Sequence, residues 1–155
     1  MRLRAITPQD HEGLVALWVR AWQPVFPQID FAARSDFIRA RLVEYGTPPC
    51  LALMLEDAGF LLLNPLTGEL EQIAVDPAFQ GKGLAGQPSV ATLLLEEAKR
   101  LSPQGLHLSV NQHNLRAIRF YTRHGFTMTG QGTSAASGLP LFFMRWGVEK
   151  PFLEE

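Results

Sequence analysis

The fold of this chain is decided by Ile73-Ala74-Val75-Asp76-Pro77-Ala78-Phe79-Gln80-Gly81-Lys82-Gly83-Leu84-Ala85. A strand pattern leads here into a glycine-rich turn, and a helical pattern follows further on. Successive backbone N–H groups of such a turn can face one anion, and glycines keep side chains out of its way. A helix N-terminus adds a favourable dipole. The stretch therefore indicates a diphosphate cradle, with an ordinary strand-to-helix connection as the alternative.

The glycine spacing differs from two common phosphate-binding loops. The pattern GxxxxGK[ST] is absent, and GxGxxG is not matched either. A nucleotide fold of either of these types is therefore not predicted.

The elements on both sides of this stretch alternate in type. Upstream, the patterns predict strands at 2–6, 50–56, 60–63 and 69–75, with helices from about Thr7 to Trp22 and from Phe31 to Val43. Downstream they predict helices at 90–100 and 114–124 and strands at 106–110, 126–130 and 139–146. One strand-helix-strand unit inside otherwise antiparallel pairings predicts an α/β (α+β) domain. We expect a mixed, mostly antiparallel, twisted sheet of about seven strands with about four helices on its faces, over residues 1–147, and a loose tail over 148–155.

Composition limits the functional classes. The 155 residues carry 14 Lys and Arg against 15 Asp and Glu, a net charge of -1, without the basic excess of a nucleic-acid binder. No apolar run is long enough to cross a bilayer, and the start lacks a signal-peptide pattern. The single cysteine, Cys50, excludes an internal disulfide. We expect a cytoplasmic protein with neither a nucleic-acid nor a membrane partner.

Two motifs together resemble a known family. Gln80-x-x-Gly83-x-Ala85 looks like the Q/R-x-x-G-x-G/A signature of the GNAT N-acetyltransferase superfamily. Downstream, Asn114-Leu115-Arg116-Ala117-Ile118-Arg119-Phe120-Tyr121-Thr122-Arg123-His124-Gly125-Phe126 looks like its N-x-x-A-x-x-F/L-Y-x-x-x-G-F block. The motifs stand in the family's order, and the resemblance covers about 69–126 strongly. It implies the GNAT-like acyl-CoA N-acyltransferase fold, with acetyl-CoA as co-substrate and a possible homodimer.

The resemblance also implies roles for the cofactor site. The backbone of Ile73, Ala74 and Val75 would pair with the pantetheine arm, and Tyr121 would lie near the sulfur. Backbone amides of Gln80, Gly81, Lys82, Gly83, Leu84 and Ala85 would hold the pyrophosphate. Asn111, Asn114 and Ala117 would line the other side.

The residue types suit acyl transfer to an amine. An alkylamine with a pKa near ~10 must lose a proton to attack, and a carboxylate can accept it. Glu69 and Glu71 are candidates for this base, directly or through water, and their shared strand parity predicts one face for both. The departing thiolate, with a pKa near ~8.5, needs a proton, which the hydroxyl of Tyr121 can supply. The alternatives are solvated charges for the glutamates and a core aromatic for Tyr121.

Acceptor and metal sites are less strongly indicated. By the resemblance, Trp22 and Phe26 would form part of an acceptor wall together with the loop 132–138, although a Trp18/Trp22 stripe at helical spacing is also typical of core packing. His107, His113 and His124 lack metal-site spacing, so no metal is expected. Cys50 is interpreted as a small buried apolar residue.

The segment after the signature departs from the family pattern. Residues 86–92 intervene before the leucines at 93–95, and Pro88 cannot lie inside a helix that begins at Leu84. Either the helix begins late, with Pro88 in its first turn, or it begins at Leu84 and is kinked. A late start would weaken the pyrophosphate cradle.

The sequence thus predicts an N-acetyltransferase that moves acetyl from acetyl-CoA to a primary amine of a small molecule or peptide. An inactive acyl-CoA-binding or interaction module is the alternative, favoured by the segment around Pro88.

Overall fold

One seven-stranded sheet organises the chain, which the computed structural model describes over residues 2–81 and 88–147. Its strands are β1 (Leu3–Ala5), β2 (Leu51–Leu55), β3 (Gly59–Asn64), β4 (Glu69–Val75), β5 (Leu106–Asn111), β6 (Thr127–Thr133) and β7 (Pro140–Trp146). Their order is β1-β2-β3-β4-β5-β7-β6, and only β4 and β5 are parallel neighbours. This confirms the predicted mixed, mostly antiparallel sheet. The predicted tail, 148–155, lies outside the described residues.

In the described part of the chain, four α-helices lie on the two faces of this sheet. They are α1 (His11–Trp22), α2 (Ser35–Tyr45), α3 (Val90–Leu101) and α4 (Leu115–Arg123). The chain enters α1 through a 3-10 turn at Pro8–Asp10, where the Thr7 N–H donates to Asp10 Oδ2 at 2.8 Å in a capping box. At the end of α4, Gly125 takes φ +93°, a conformation that stops a helix. No described helix has the length and apolar character that a membrane span requires.

Two apolar cores lie on opposite faces of the sheet. Phe60 and Leu62 of β3 point into the core under α1 and α2, whereas Leu61 and Leu63 point into the core under α3. All four residues are fully buried, because β3 is central and covered on both faces. Burial of each such side chain stabilises the fold by about 1.5–3 kcal/mol.

A bulge in β4 changes which way its residues face. Leu62 lies opposite Gln72 and Leu63 lies opposite Leu70, so Glu71 is the extra residue. Leu70 therefore packs in the α3 core, whereas Ala74, four residues later, packs in the α1 core. Without the bulge, residues four apart in a strand would share a face.

The parallel strands β4 and β5 meet only at one end. Glu69 lies opposite His107, and the His107 N–H donates to the Gly68 carbonyl at 2.8 Å. Beyond this pair the two strands diverge, which leaves a wedge-shaped gap in the sheet toward Val75. The gap connects the α1/α2 face with the α3/α4 face.

The helix after the glycine-rich turn begins late. Its first residue is Val90, and the N-cap is Ser89, whose Oγ accepts the Thr92 N–H at 3.2 Å. Ser89 is extended (φ -64°, ψ 160°), so the interpretation of a helix that continues from Leu84 through Pro88 is wrong. Pro88 lies before the N-cap and not in the first turn of the helix. At this position a proline disrupts no helical hydrogen bond.

Candidate functional site

A cleft of about 390 Å³ lies between β4 and α4, where β5 has diverged from β4. Strand β4 forms one wall, helix α4 the other, and the end of α1 and the start of α3 complete it. Its lining includes, among others, Ala21, Trp22, Val25, Ile73, Ala74, Val75, Gln80, Gly81, Ser89, Asn114, Arg116, Ala117, Arg119, Tyr121 and Arg123.

The β4 wall offers backbone groups. The Asp76 N–H donates to the Ala58 carbonyl at 2.8 Å, toward β3. Because backbone groups alternate along a strand, Ala74 also pairs toward β3, whereas Ile73 and Val75 direct theirs to the opposite edge. At that edge β5 has diverged, so the N–H groups of Ile73 and Val75 face the cleft. Of the three strand residues predicted to hold pantetheine, these two present backbone groups and Ala74 presents its side chain.

The turn after β4 is held by Gln80. Its Nε2 donates to the Val75 carbonyl at 2.9 Å, its Oε1 accepts from Arg116 Nη1 at 3.3 Å, and its own N–H donates to the Pro77 carbonyl at 3.4 Å. Gly81 follows with φ +70°, and a Cβ there would lie 3.1 Å from Arg116 Nη2. The remaining predicted cradle residues, Lys82, Gly83, Leu84 and Ala85, lie outside the described residues.

The predicted asparagines shape the start of α4. Asn114 is the N-cap, and its Oδ1 accepts the Ala117 N–H at 3.2 Å. Asn111, at the end of β5, accepts the His113 N–H at 2.8 Å through Oδ1. Asn114 and Ala117 both line the cleft, whereas Asn111 fixes the turn that leads to them.

Tyr121 faces the cleft one turn after Ala117. Its ring packs against Phe120 and Phe126, with ring centroids 5.3 Å away in both cases. Burial raises the pKa of the Tyr121 phenol. Within residues 2–81 and 88–147 its hydroxyl makes no hydrogen bond, so the proton remains available to a ligand in the cleft.

The sequence interpretation missed three arginines of α4. Arg116, Arg119 and Arg123 line the cleft from positions i, i+3 and i+7 of the helix, and all three are exposed. Arginines on an amphipathic helix are usually interpreted as a solvated face. The signal that would have revealed them is their own spacing of i, i+3 and i+7, which places all three on one face of α4.

Glu69 and Glu71 lie on the α1/α2 face, away from the lining of the cleft. Arg41 of α2 donates from Nε to Glu71 Oε2 at 3.2 Å, and the Glu71 side chain is 21% exposed. Burial raises the pKa of Glu71; Arg41 opposes this shift, and Glu69 adds to it. Burial, together with Glu69 and Glu71, also raises the pKa of Tyr45. The structure thus brings both glutamates together beside Arg41 and Tyr45.

Of the two predicted acceptor residues, one lines the cleft and the other lies in the α1 core. Trp22 lines the cleft, and its Nε1 donates to Gln72 Oε1 at 3.0 Å. Phe26 stacks on Trp22, with centroids 6.3 Å apart and planes 11° apart, but is buried in the α1 core. Phe26 therefore supports Trp22 from behind.

Other candidate chemistry is not assembled in the described part of the chain. No group of three or more His, Cys, Asp or Glu there is arranged to hold a metal ion. Cys50 is partly buried, and burial raises the pKa of its thiol.

Comparison with known sequences gives one family and a relative of nearly full length. The profile of the acetyltransferase (GNAT) family matches residues 11–126. The peptidyl-lysine N-acetyltransferase YjaB of Salmonella typhimurium is 32% identical over 149 residues, which cover 90% of this chain and 92% of that protein.

Solved structures share the fold. The apo form of YjaB from Escherichia coli, solved in solution, has a TM-score of 0.73 at 26% identity and covers 95% of this chain and 98% of that chain. The PaiA N-acetyltransferase from Thermoplasma acidophilum, solved in complex with coenzyme A, has a TM-score of 0.71 at 17% identity with the same coverage. The second similarity concerns the fold alone.

Proposed function

The chain belongs to the GNAT acetyltransferase family and is an acyltransferase, and we propose that it moves an acetyl group from acetyl-CoA to the primary amine of a lysine side chain. A small-molecule amine is the nearest variant of this acceptor.

The main support for this proposal is the edge of β4 beyond Glu69, which has no strand partner in the described residues. This edge faces Tyr121 across a single cleft. A pantetheine arm is an extended chain with amide groups, and such chains bind by adding to an open strand edge. The backbone groups of Ile73 and Val75 suit that role. Ala74 and Ala117 leave room for an apolar arm between the walls, so the residues present fit the co-substrate.

Acetyl-CoA would supply an activated thioester whose carbonyl carbon accepts the amine nitrogen as the C–S bond breaks. Tyr121 donates its phenolic proton to the departing sulfur. The raised pKa of Tyr121 keeps the phenol protonated at neutral pH, as this role requires. The N–H of Ile73, free of a strand partner, can donate to the carbonyl oxygen where negative charge develops.

Glu71 is proposed as the base that accepts the proton from the attacking amine. Its raised pKa brings it nearer to neutral pH, where a carboxylate is a more effective base. Because Glu71 does not line the cleft, the proton passes through a water. Glu69 lies beside it and favours a positively charged acceptor at this end of the gap.

The lysine acceptor is supported by the charge of the α1/α2 face. Glu44, Glu69 and Glu71 all raise the pKa of Tyr45 there, and Arg41 pairs with two of these carboxylates, Glu44 and Glu71. An excess of carboxylates attracts an ammonium group. The relative from Salmonella typhimurium carries the name of a peptidyl-lysine enzyme, which agrees with this acceptor class.

The test combines binding and turnover. Calorimetric titration with acetyl-CoA and with CoA is expected to give micromolar dissociation constants, and thiol release is expected with lysine-containing peptides. Absence of binding at millimolar acetyl-CoA would overturn the proposal. Binding of acetyl-CoA without thiol release for peptides or small amines would instead support a binding module.

A further inference from the structure

We propose that Arg116, Arg119 and Arg123, the arginine face of α4, bind the phosphate groups of acetyl-CoA and make the enzyme prefer it to thioesters without phosphates. This inference rests on the proposed function and assigns part of the cofactor affinity to α4.

The arginine face has the geometry of an extended anion site. The three side chains line one cleft from one helix face, and the rise of 1.5 Å per residue spreads their Cα atoms over about 10 Å along the axis. Arg116 lies against the glycine-rich turn, since its guanidinium contacts Gln80 and approaches Gly81. The face thus extends from the turn where the resemblance places the pyrophosphate.

Within the described residues, the arginine face has no ion-pair partner. Five other arginines pair with carboxylates within 3.2 Å: Arg4, Arg20, Arg39, Arg41 and Arg100. Arg116 bonds only to the neutral amide of Gln80, and Arg119 and Arg123 have no hydrogen-bond partner in residues 2–81 and 88–147. Guanidinium groups gathered without carboxylates are suited to bidentate binding of phosphate.

The end of α4 beyond the face is also electropositive. Burial lowers the pKa of His124, with Lys99 and Arg123 adding to this shift and Glu96 opposing it. The charges that act on His124 are thus two cations, Lys99 and Arg123, against the one carboxylate of Glu96, and this excess favours an anion.

The start of α3 offers less for an anion. Helix α3 begins only at Val90, and its Thr92 N–H already donates to Ser89 Oγ. A capped helix N-terminus retains its dipole but has fewer free donors. The arginine face therefore supplies charge neutralisation that the late start of α3 reduces.

The test compares Arg119→Ala and Arg123→Ala with Arg100→Ala, which removes the same charge from an exposed position of α3 outside the cleft. Dissociation constants are measured by calorimetry for CoA, 3′-dephospho-CoA and pantetheine. Each cleft variant is expected to bind CoA about tenfold more weakly, as the loss of one charge-assisted hydrogen bond predicts. Pantetheine binding should stay unchanged, as should CoA binding by Arg100→Ala. Binding of 3′-dephospho-CoA identifies the phosphate: a variant that loses less with this ligand contacts the 3′-phosphate.

The outcomes separate this inference from the proposed function. Equal weakening toward all three ligands would indicate a structural role for the arginines and overturn the inference, as would an equal effect of Arg100→Ala. Normal CoA binding by both cleft variants would also overturn it, while the transferase proposal stands. Arg119→Lys should restore part of the affinity, because it keeps the charge but loses the bidentate geometry. If the wild-type protein binds none of the three ligands, both proposals are wrong.

Discussion

The two faces of the sheet meet at the gap between β4 and β5 with opposite chemistry. On the α3/α4 side, Tyr121 and the arginine face of α4 line the opening. On the α1/α2 side, Glu69 and Glu71 lie beside Arg41 and Tyr45. If acetyl-CoA and an amine bind as proposed, this one gap takes two ligands of opposite charge, one from each face. The edge of β4 is the boundary at which they would react.

Tyr121→Phe, on the α3/α4 side, should have the largest effect on turnover. Removal of the proton donor is expected to lower kcat by about 10²–10³-fold, as for loss of a general acid. Acetyl-CoA affinity should change little, and so should the melting temperature, because the hydroxyl has no described hydrogen-bond partner. Steady-state thiol release and calorimetry measure these effects. An unchanged kcat with a rate-limiting chemical step would exclude Tyr121 as the acid.

Glu71→Gln is the matching change on the α1/α2 side. We expect kcat to fall by about 10–100-fold, because solvent water can partly replace a base that acts through water. Glu69→Gln is the paired variant, and the larger loss identifies the base. Equal small losses in both variants would mean that neither carboxylate accepts the proton.

Ile73→Pro tests the edge of β4, which lies between the two faces. Its N–H faces the cleft, so proline removes a donor for the co-substrate without removing a bond to β3. Acetyl-CoA binding should weaken by about tenfold, the effect of one lost hydrogen bond. Ala74→Pro is the contrasting variant, since it removes a bond toward β3 and should lower the melting temperature markedly. Ile73→Val, with its backbone N–H intact, should bind normally.

Arg41→Gln should make the α1/α2 side more negative, because it removes the cation beside Glu71. Arg41 lowers the pKa of Glu71, so its loss is expected to raise that pKa further. The acid limb of the kcat/KM profile should then move to higher pH, by a fraction of a unit to about one unit. Arg39→Gln on the same helix, whose partners are Glu12 and Asp36, is the control and should leave the limb in place.

The smallest expected effect is on stability. The pKa of Glu71 is raised in the folded protein, so the folded state binds the proton more tightly than the unfolded state. The Glu71 contribution is therefore most favourable at low pH and is lost as pH rises through the folded pKa. Glu71→Gln should be more stable than the wild type at pH 8 by less than about 1 kcal/mol, because the group is partly exposed. At pH 4 this difference should shrink, which denaturant unfolding at both pH values measures.

Much of the fold was predictable because local patterns agree with it. The bounds of β4, Glu69–Val75, match the predicted strand, and Gly125 ends α4 as expected. The bulge at Glu71 was not predictable, because an extra residue leaves no mark in the apolar pattern and appears only when β4 pairs with β3. A regular strand would place Glu71 and Ile73 on one face. The bulge instead lets Glu71 meet α2 while Ile73 packs in the α3 core.

Tyr121, Asn114 and Ala117, which the resemblance named for the cofactor site, line the cleft, and their roles there stay predictions. The arginine face was missed because the role of a charged residue depends on its partners. That no carboxylate of residues 2–81 and 88–147 pairs with Arg119 or Arg123 becomes known only from the folded structure. The backbone role of Ile73 and Val75 came from the resemblance. The sequence alone cannot show which strand edges remain unpaired.

The divergence of β4 from β5 also has a consequence for amide hydrogen exchange. The N–H groups of Ile73 and Val75 lie in a strand flanked by the buried β3, yet on their own side they have no strand partner among the residues that the structure describes. Their amide protons should exchange with solvent orders of magnitude faster than that of Ala74 between them. If acetyl-CoA adds to this edge as proposed, saturation with it should slow both and leave Ala74 unchanged, giving an every-other-residue footprint along β4.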